Sequence, residues 1–378
     1  MNDADCIALR GVLAVVRAIK HPCNFYQTGG SMSAHDQPML IANINYHIGH
    51  TIAIRVAEEQ GYLREEGIKE HVFDSRGLIP AALERDGLAL VMEEHGVDIG
   101  FGALVGAALH QRTLGADVYI VGGWRHDGPG GTRWYARKPV ADLRALKGAR
   151  IGSRERGGME QSFLTEMLHG VGLDGEKDIN WVFEQFFYND GPRIFAALES
   201  GMVDVIPAHP PIYEEARRRN LSLVLDTTTK FPEGRPGKVI VATGKALRDR
   251  AAEVKAFLRA TIRAFWFSRT RENLPYLQDL ERRLRVHSHN EFEHGTTLLS
   301  GAEFVEGWPM PLNCAVPRDQ LGAKIAYLVA IGDLPRSIAV DDVLKDELVN
   351  DAFRELMARP ALQPAWAAVQ RAKEKFGY

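Results

Sequence analysis

Two histidines and a tyrosine lie close together in the segment INYHIGHTIAIRV, which begins at residue 44. An apolar run precedes them and apolar residues at helical spacing follow, so Tyr46, His47 and His50 occupy the turn between a predicted strand and helix. An imidazole there can bind a carboxylate or transfer a proton, and the helix N-terminus favours an anion. Alternatively, one histidine only buttresses the helix. We identify Asn45 and Tyr46 as candidate ligand-binding residues, and His47 and His50 as catalytic residues if the protein is an enzyme.

Arginines follow two further predicted strands. One is in DSRG, residues 74–77, and two are in GSRERGG, residues 152–158. The planar guanidinium suits carboxylate, sulfonate or phosphate groups. The alternatives are an ordinary surface arginine in the first segment and an arginine paired with Glu155 in the second. The candidate ligand-binding residues of these turns are Ser75, Arg76, Ser153, Arg154, Arg156 and Gly157.

Aromatic and polar residues also lie at the ends of other predicted strands. Small-molecule sites combine aromatic walls with a few polar anchors, which is the composition found here. Trp124 is equally compatible with a core position. These additional ligand-binding candidates are Phe101, Gly102, Trp124, Arg125, His126, Tyr188, Asp190 and His209.

No candidate metal-binding or cofactor-binding segment of the sequence matches a known motif. The cluster HSHNEFEH, residues 287–294, has metal-ligand residue types, but its spacing fits no zinc pattern and a polar helix start explains it more simply. GSRERGG lacks the GK[ST] ending of a phosphate-binding P-loop, and Gly100, Gly102 and Gly106 miss the dinucleotide spacing. The three cysteines form neither a CxxC pair nor a disulfide framework, which is compatible with a reducing compartment. We predict no metal and no cofactor.

Charge and composition limit the partners. With 46 Lys+Arg against 49 Asp+Glu the net charge is −3, so no basic field attracts nucleic acid. The N-terminal tract CIALRGVLAVVRAIK is interrupted by charges, which makes it a poor signal peptide and too broken to span a bilayer. We expect no membrane-spanning segment and a cytoplasmic protein, or a periplasmic one if the true start lies elsewhere. Because Met32 resembles a natural start, we interpret residues 1–31 as a non-core extension.

Strands and helices must alternate to position these residues. Predicted strands cover 39–46, 68–74, 97–103 and 116–124, and a second block has strands at 148–153, 179–186, 203–209, 221–226 and 238–245. Helices are predicted between them, including 78–95, 158–171 and 192–201, and from about 246 onward. A Gly/Pro-rich turn and the strand-like TRWYARK read as the connection between the blocks. This alternation is typical of α/β sheets with parallel strands, which bind ligands beyond the carboxyl ends of their strands.

A family resemblance rests on the order and spacing of five segments within residues 39–270. They are EEQGYLREEGI, GVDIGFGA, ADLRALKGARIGSRERGG, ALESGMVDVIPAHPP and ATGKALRDRAAEVKAFLRATIRAF. In this order they resemble the NMT1/THI5-like substrate-binding proteins. The resemblance implies an α/β fold, the two-lobed type II periplasmic-binding-protein clamshell, with a helical C-terminal portion that packs on the first lobe. We expect lobe 1 at 32–135, lobe 2 at 136–240, and a return to lobe 1 with C-terminal helices at 241–378.

The resemblance implies two alternative functions. As a solute-binding protein, the chain would close two lobes over a small carboxylate or sulfonate, with aromatic compounds among the candidates, and an ABC-transporter permease would be its partner. As a cytosolic, cofactor-independent lyase of the decarboxylase kind, it would use a cleft histidine for proton transfer and arginines for anion binding. Related desulfinases place a nucleophilic cysteine where His47 or Ile48 falls here, and the cysteine-rich motif of the thiamine pyrimidine synthases is missing. Thiolate chemistry is therefore not expected.

Overall fold

The computed structural model describes residues 37–44, 48–75, 77–79, 81–126, 132–154, 159–187, 190–208, 210–227, 235–286 and 312–376. The expected 1–31 extension and the 287–294 cluster lie outside these residues. The strands are β1 (Met39–Asn43), β2 (His71–Asp74), β3 (Ile99–Leu104), β4 (Val118–His126), β5 (Arg133–Ala136), β6 (Arg150–Ser153), β7 (Asn180–Phe183), β8 (Val205–Ala208), β9 (Ser222–Asp226) and β10 (Arg235–Thr243).

Helices follow most of these strands, and longer helices form the C-terminal part of the chain. None of the described helices is both long and apolar enough to cross a membrane. The helices are α1 (Ile48–Glu59), α2 (Tyr62–Glu65), α3 (Ala81–Glu94), α4 (Val105–Thr113), α5 (Met159–His169), α6 (Gly191–Glu199), α7 (Pro210–Arg218), α8 (Gly244–Asp249), α9 (Ala251–Ser268), α10 (Leu274–Val286), α11 (Arg318–Ala330), α12 (Val340–Val343), α13 (Asp346–Met357) and α14 (Gln363–Phe376).

The first sheet has the order β2-β1-β3-β10-β4. Strand β1 is parallel to β2 and β3, whereas β10 is antiparallel to β3. The N–H of Gly244, just after β10, donates to the carbonyl of Asp117, just before β4, at 2.7 Å, so β4 runs opposite to β10. The prediction that 238–245 completes the second block is therefore wrong: this strand lies inside the first sheet, between β3 and β4. An apolar strand buried on both faces does not encode which sheet it joins.

The second sheet repeats this arrangement with the order β7-β6-β8-β5-β9. Strand β6 is parallel to β7 and β8, and β5 is antiparallel to both β8 and β9. TRWYARK is thus an inner strand of this sheet and not only a connection. In both sheets four strands run in the same direction, as expected, and only the fourth strand in the sheet order, β10 or β5, runs opposite to them.

One strand position in each sheet requires glycine because another side chain approaches the backbone closely. A Cβ on Gly100 in β3 would lie 2.5 Å from the Cδ1 atom of Ile44, and one on Gly152 in β6 would lie 2.5 Å from the ring of Phe187. Neither gap accommodates a methyl group, so each strand packs directly against the segment that crosses it.

The chain forms two compact units. The first draws its described residues from ranges 1–124, 236–267 and 310–366, and the second from ranges 125–235, 268–309 and 367–378. The lobe boundaries expected from the sequence stay a prediction. Within the first unit, the ring of Trp266 contacts those of Phe353 and Trp366, with centroids 6.3 and 5.3 Å apart, which fixes the C-terminal helices on α9.

The free edge of β4 is covered by a later part of the chain. Ile120 forms an isolated parallel bridge with Leu344, and the N–H of Lys345 donates to the carbonyl of Ile120 at 2.8 Å. This short segment occupies backbone groups that an edge strand would otherwise present to other chains.

Candidate functional site

The carboxyl end of β1 is linked to both neighbouring turns by Asn43. Its Nδ2 group donates to Oγ1 of Thr51 in the first turn of α1 at 2.6 Å, and to the carbonyl of Ser75 at 3.4 Å. Asn43 and Thr51 are fully buried, and Ser75 is half-buried. The predicted ligand residue Ser75 therefore lies beside the start of α1, where parallel strands β1 and β2 end together.

Phe101 and Gly102 lie in β3, next to β1. Asn43 is directly opposite Phe101 in the register. The Phe101 side chain is fully buried and meets the ring of Phe257 edge-on at 6.3 Å, so it belongs to the core of the first unit. Gly102 has φ 80°, a conformation that favours glycine. The ligand contacts assigned to both residues stay predictions.

Two helix N-termini at these edges are already occupied by carboxylates of the chain. Glu84 is fully buried, and its Oε1 atom accepts a hydrogen bond from the N–H of Leu104, the N-cap residue of α4. Asp190 is the N-cap residue of α6, and its Oδ1 atom accepts from the N–H of Arg193 at 3.2 Å. Since each carboxylate satisfies helix N–H groups, these termini are poorer sites for a bound anion than an uncapped terminus. The ligand contact of Asp190 stays a prediction beside this capping role.

Ser153 and Arg154 lie at the carboxyl end of β6 in the second unit. Ser153 is fully buried, pairs with Phe183 of β7, and accepts a 3.0 Å hydrogen bond from the N–H of Glu184 at its carbonyl. Arg154 follows directly and is half-buried. Both predicted ligand residues therefore lie at the end of a buried parallel strand, where an α/β sheet binds ligands.

A cluster around Arg133 lies at the same edge of this sheet and was missed in the sequence. Arg133 begins β5 and is directly opposite both Ala208 of β8 and Asp226 of β9. Its Nε group donates to Oδ2 of Asp226 at 2.9 Å, and its guanidinium lies 4.0 Å from the ring centroid of Tyr213 in α7. The Arg133 side chain is 26% exposed. The sequence signal was present in TRWYARK, but that strand had been interpreted as a connection.

The charges in this cluster support one another. Burial lowers the pKa of Arg133, but Tyr213 and Asp226 more than offset this effect, so the pKa is raised overall. Burial also raises the pKa of the Tyr135 hydroxyl, an effect that Arg133 partly offsets. At neutral pH Arg133 is therefore a permanent cation and the Tyr135 phenol is neutral.

A second buried cation was missed at the edge of the first sheet. Lys238 is only 6% exposed and lies opposite Leu104, at the carboxyl end of β3. It was missed because β10 had been assigned to the wrong block.

Several predicted site residues lie outside the described residues or have side chains that the structure does not describe. Asn45, Tyr46, His47, Arg76, Arg156, Gly157, Tyr188 and His209 lie outside the described residues. His50 lies in the first turn of α1, and Trp124, Arg125 and His126 end β4, but the structure does not describe their side chains.

The described part of the chain contains neither a candidate metal site nor a reactive cysteine. No group of three or more His, Cys, Asp or Glu residues there could hold a metal ion. The described cysteine, Cys314, is fully buried, and burial raises its pKa to about 12. Its thiol therefore stays protonated at neutral pH and is not a nucleophile.

Two five-stranded sheets, each with three parallel strands followed by an antiparallel one, define an α/β protein of the type II periplasmic-binding-protein fold. The model of the NMT1/THI5-like family matches residues 48–270, more than half of the chain, and the chain belongs to this family. No curated protein sequence matches the chain.

Solved structures with a similar fold include two binding proteins and an enzyme. The periplasmic aliphatic sulphonate binding protein SsuA from Escherichia coli is 14% identical, with a TM-score of 0.58 over 82% of this chain and 92% of that one. The periplasmic nitrate-binding protein NrtA from Synechocystis PCC 6803 is 15% identical, with a TM-score of 0.59 over 86% and 90%. The desulfurization enzyme DSZB is 16% identical, with a TM-score of 0.53 over 84% and 99%. These likenesses confirm the expected fold class.

Proposed function

We propose that the protein is a solute-binding protein for a small anion with a carboxylate, sulfonate or similar oxyanion group. The observation that carries the proposal is the repeated sheet topology, in which three parallel strands of each sheet end at one edge and lead into helices. This arrangement collects helix N-termini and strand-end side chains where α/β proteins bind ligands. The names of two neighbours, a sulphonate-binding and a nitrate-binding protein, support an anion.

The groups proposed to hold the anion differ between the two units. In the first unit they are the start of α1, with its predicted histidines, and the turn at Ser75. In the second they are Ser153 and the arginines that follow it. The described first turn of α1 contains no acidic residue to compete with an anion. Closure of the lobes over the ligand is part of this proposal.

A permease of an ABC transporter is the proposed partner. Neighbours named as periplasmic binding proteins support this role and a periplasmic location. The cytoplasmic location expected from the N-terminal tract stays a prediction.

Recovery of the bound compound tests the proposal. Native mass spectrometry of the purified protein would identify any ligand retained, and calorimetric titration with nitrate, ethanesulfonate, benzoate and biphenyl-2-sulfinate would measure affinity. We expect at least one of these anions to bind and to be recovered unchanged. Ligand at about 100 times its Kd should stabilise the fold by about 2.7 kcal/mol. A wild-type protein that binds none of them would contradict the proposal.

The lyase is the second candidate, and the similarity to a desulfurization enzyme favours it. In this role His47 or His50 would transfer a proton while arginines hold the acid. Conversion of a bound acid to a decarboxylated product during incubation would establish it. Loss of that conversion in His47→Ala or His50→Ala, with binding retained, would identify the proton-transfer group.

A further inference from the structure

The geometry points to Arg133 as the oxyanion anchor of the second unit, an inference that rests on the proposed anion-binding function. The proposed ligand group has two oxygen atoms on one centre, as in a carboxylate, sulfonate, sulfinate or nitrate. It binds the terminal nitrogens of the guanidinium while Asp226 and Tyr213 hold that guanidinium in place.

The position of Arg133 in the sheet is the first support. Arg133 is opposite Ala208, the last residue of β8, and the predicted site residue His209 follows directly. Ser153 ends β6 on the other side of β8. Adjacent strands lie about 4.8 Å apart, so the backbones at Ser153 and Arg133 are roughly 10 Å apart across one edge. A single small ligand can span that distance.

The hydrogen bonding of the guanidinium is the second support. The bond to Asp226 uses Nε, one of five N–H donors. Tyr135 also forms a side-chain hydrogen bond with Arg133, so we assign the oxyanion to the remaining N–H groups of the two terminal nitrogens. The side chain is 26% exposed and is therefore accessible to solvent, whereas its partner Asp226 is 11% exposed.

The orientation of the side chain is the third support. The ring of Tyr213 covers one face of the guanidinium at 4.0 Å, and Asp226 fixes Nε from the opposing strand. A guanidinium held on two sides loses little conformational entropy when it binds a ligand, which favours affinity. Asp226 and Tyr213 are thus positioning residues, and Arg133 is the residue that contacts the ligand.

A purely structural salt bridge is the alternative, and the same sheet contains a matched example. Arg150 begins β6 at the opposite edge and binds Asp204 through Nε at 3.1 Å and Nη2 at 2.8 Å. Both arginines pair with an aspartate, but only Arg133 lies at the edge where the parallel strands end. Arg150→Gln is therefore the control for Arg133→Gln.

Calorimetric titration of the full-length variants tests the assignment, with whichever of nitrate, ethanesulfonate, benzoate or biphenyl-2-sulfinate binds the wild type most tightly. We expect Arg133→Gln to raise Kd by about 10-fold or more, because a charge-assisted hydrogen bond is lost, and Arg150→Gln to change it less than about 2-fold. Arg133→Lys keeps the charge without the planar fork and should also bind more weakly than the wild type. The single variant removes the arginine partner of the Asp226 carboxylate, which could impair folding. The double variant Arg133→Gln/Asp226→Asn removes that charge as well, so it measures the loss of anion affinity without this complication.

The outcomes separate the two proposals. Wild-type affinity in folded Arg133→Gln or in the double variant overturns the role of Arg133 and leaves the binding function intact. Equal losses in Arg133→Gln and Arg150→Gln also overturn it, because the effect would then not depend on the sheet edge. A wild-type protein that binds none of the four anions overturns the binding function and this inference together.

Discussion

Cys314 shows how local packing removes the reactivity of a residue. Its thiol is fully buried, and its carbonyl accepts a 3.0 Å hydrogen bond from the N–H of Gly123 in β4. A Cβ on Gly122 would lie 3.2 Å from the sulfur, so β4 and Cys314 pack as closely as the glycine allows. Burial disfavours the thiolate and raises the pKa to about 12.

We predict that native Cys314 resists thiol reagents. In a Cys6→Ser/Cys23→Ser variant, iodoacetamide at pH 8 should label the protein only after denaturation, as intact-mass measurement would show. Since the unfolded thiol ionises near pH 9 and the folded one near 12, the raised pKa lowers the free energy of unfolding as pH rises above about 9. Rapid labelling of the folded protein at pH 8 would contradict this environment for the sulfur.

Among the elements, α2 is fixed to the C-terminal helices through one buried carboxylate. Glu66 follows α2 directly, its side chain is fully buried, and it accepts hydrogen bonds from Arg259, Arg263 and Arg359. Arg259 and Arg263 belong to α9, whereas Arg359 follows α13. Burial raises the pKa of Glu66, but the three guanidinium groups more than offset it, so the pKa is lowered.

We predict that Glu66→Gln destabilises the protein by about 3 kcal/mol at pH 7, because it removes the fully buried negative charge that three arginines share, while Arg259 and Arg263 keep only their more exposed partners Glu355 and Glu65. Glu355 joins Arg259 and Lys255 but is 41% exposed, so Glu355→Gln should cost at most about 1 kcal/mol. Urea unfolding measures both values. The lowered pKa of Glu66 increases the free energy of unfolding above pH 4.5, and this stabilisation is lost as pH falls through the pKa of Glu66 in the folded state. Equal effects of the two variants would show that burial does not decide the strength of this network.

The elements were easier to predict from the sequence than the site. Period and turn residues identified strands such as 39–46, although β1 ends at Asn43, where the carbonyl of the next residue, Ile44, turns to accept hydrogen bonds from Leu78 and Ile79. Strand order depends on contacts distant in sequence, so β10 was assigned to the wrong sheet. Arg133 was missed for the same reason: its place beside Ala208 follows from strand pairing and not from any local motif.

At the scale of the whole molecule, the antiparallel fourth strand has a different place in the chain in each sheet. In the second sheet, β5 precedes the other strands, whereas in the first sheet β10 follows them. The second sheet consists of β5 to β9, which follow one another in sequence, whereas the first sheet needs β10 from beyond all of them. Strand β10 lies between β3 and β4, so without it β4 is separated from β2, β1 and β3. The second sheet has no such dependence on a later strand.

Truncation after residue 234 is therefore predicted to affect the two sheets unequally. The truncated chain keeps every strand of the second sheet but removes β10, so β3 and β4 lose their hydrogen bonds to it. The core that these strands share with β1 also loses the apolar contacts of Val239 and Val241. Hydrogen exchange measured by mass spectrometry should show amide protection falling to near the unfolded level in 39–43 and 99–104, while 133–136 and 205–208 retain more of theirs. Addition of a peptide covering 235–267 should restore part of the lost protection, because it supplies the missing strand together with α9. Full protection of β1 and β3 in the truncated chain would show that these strands form a stable sheet without β10, and would contradict this dependence on chain order.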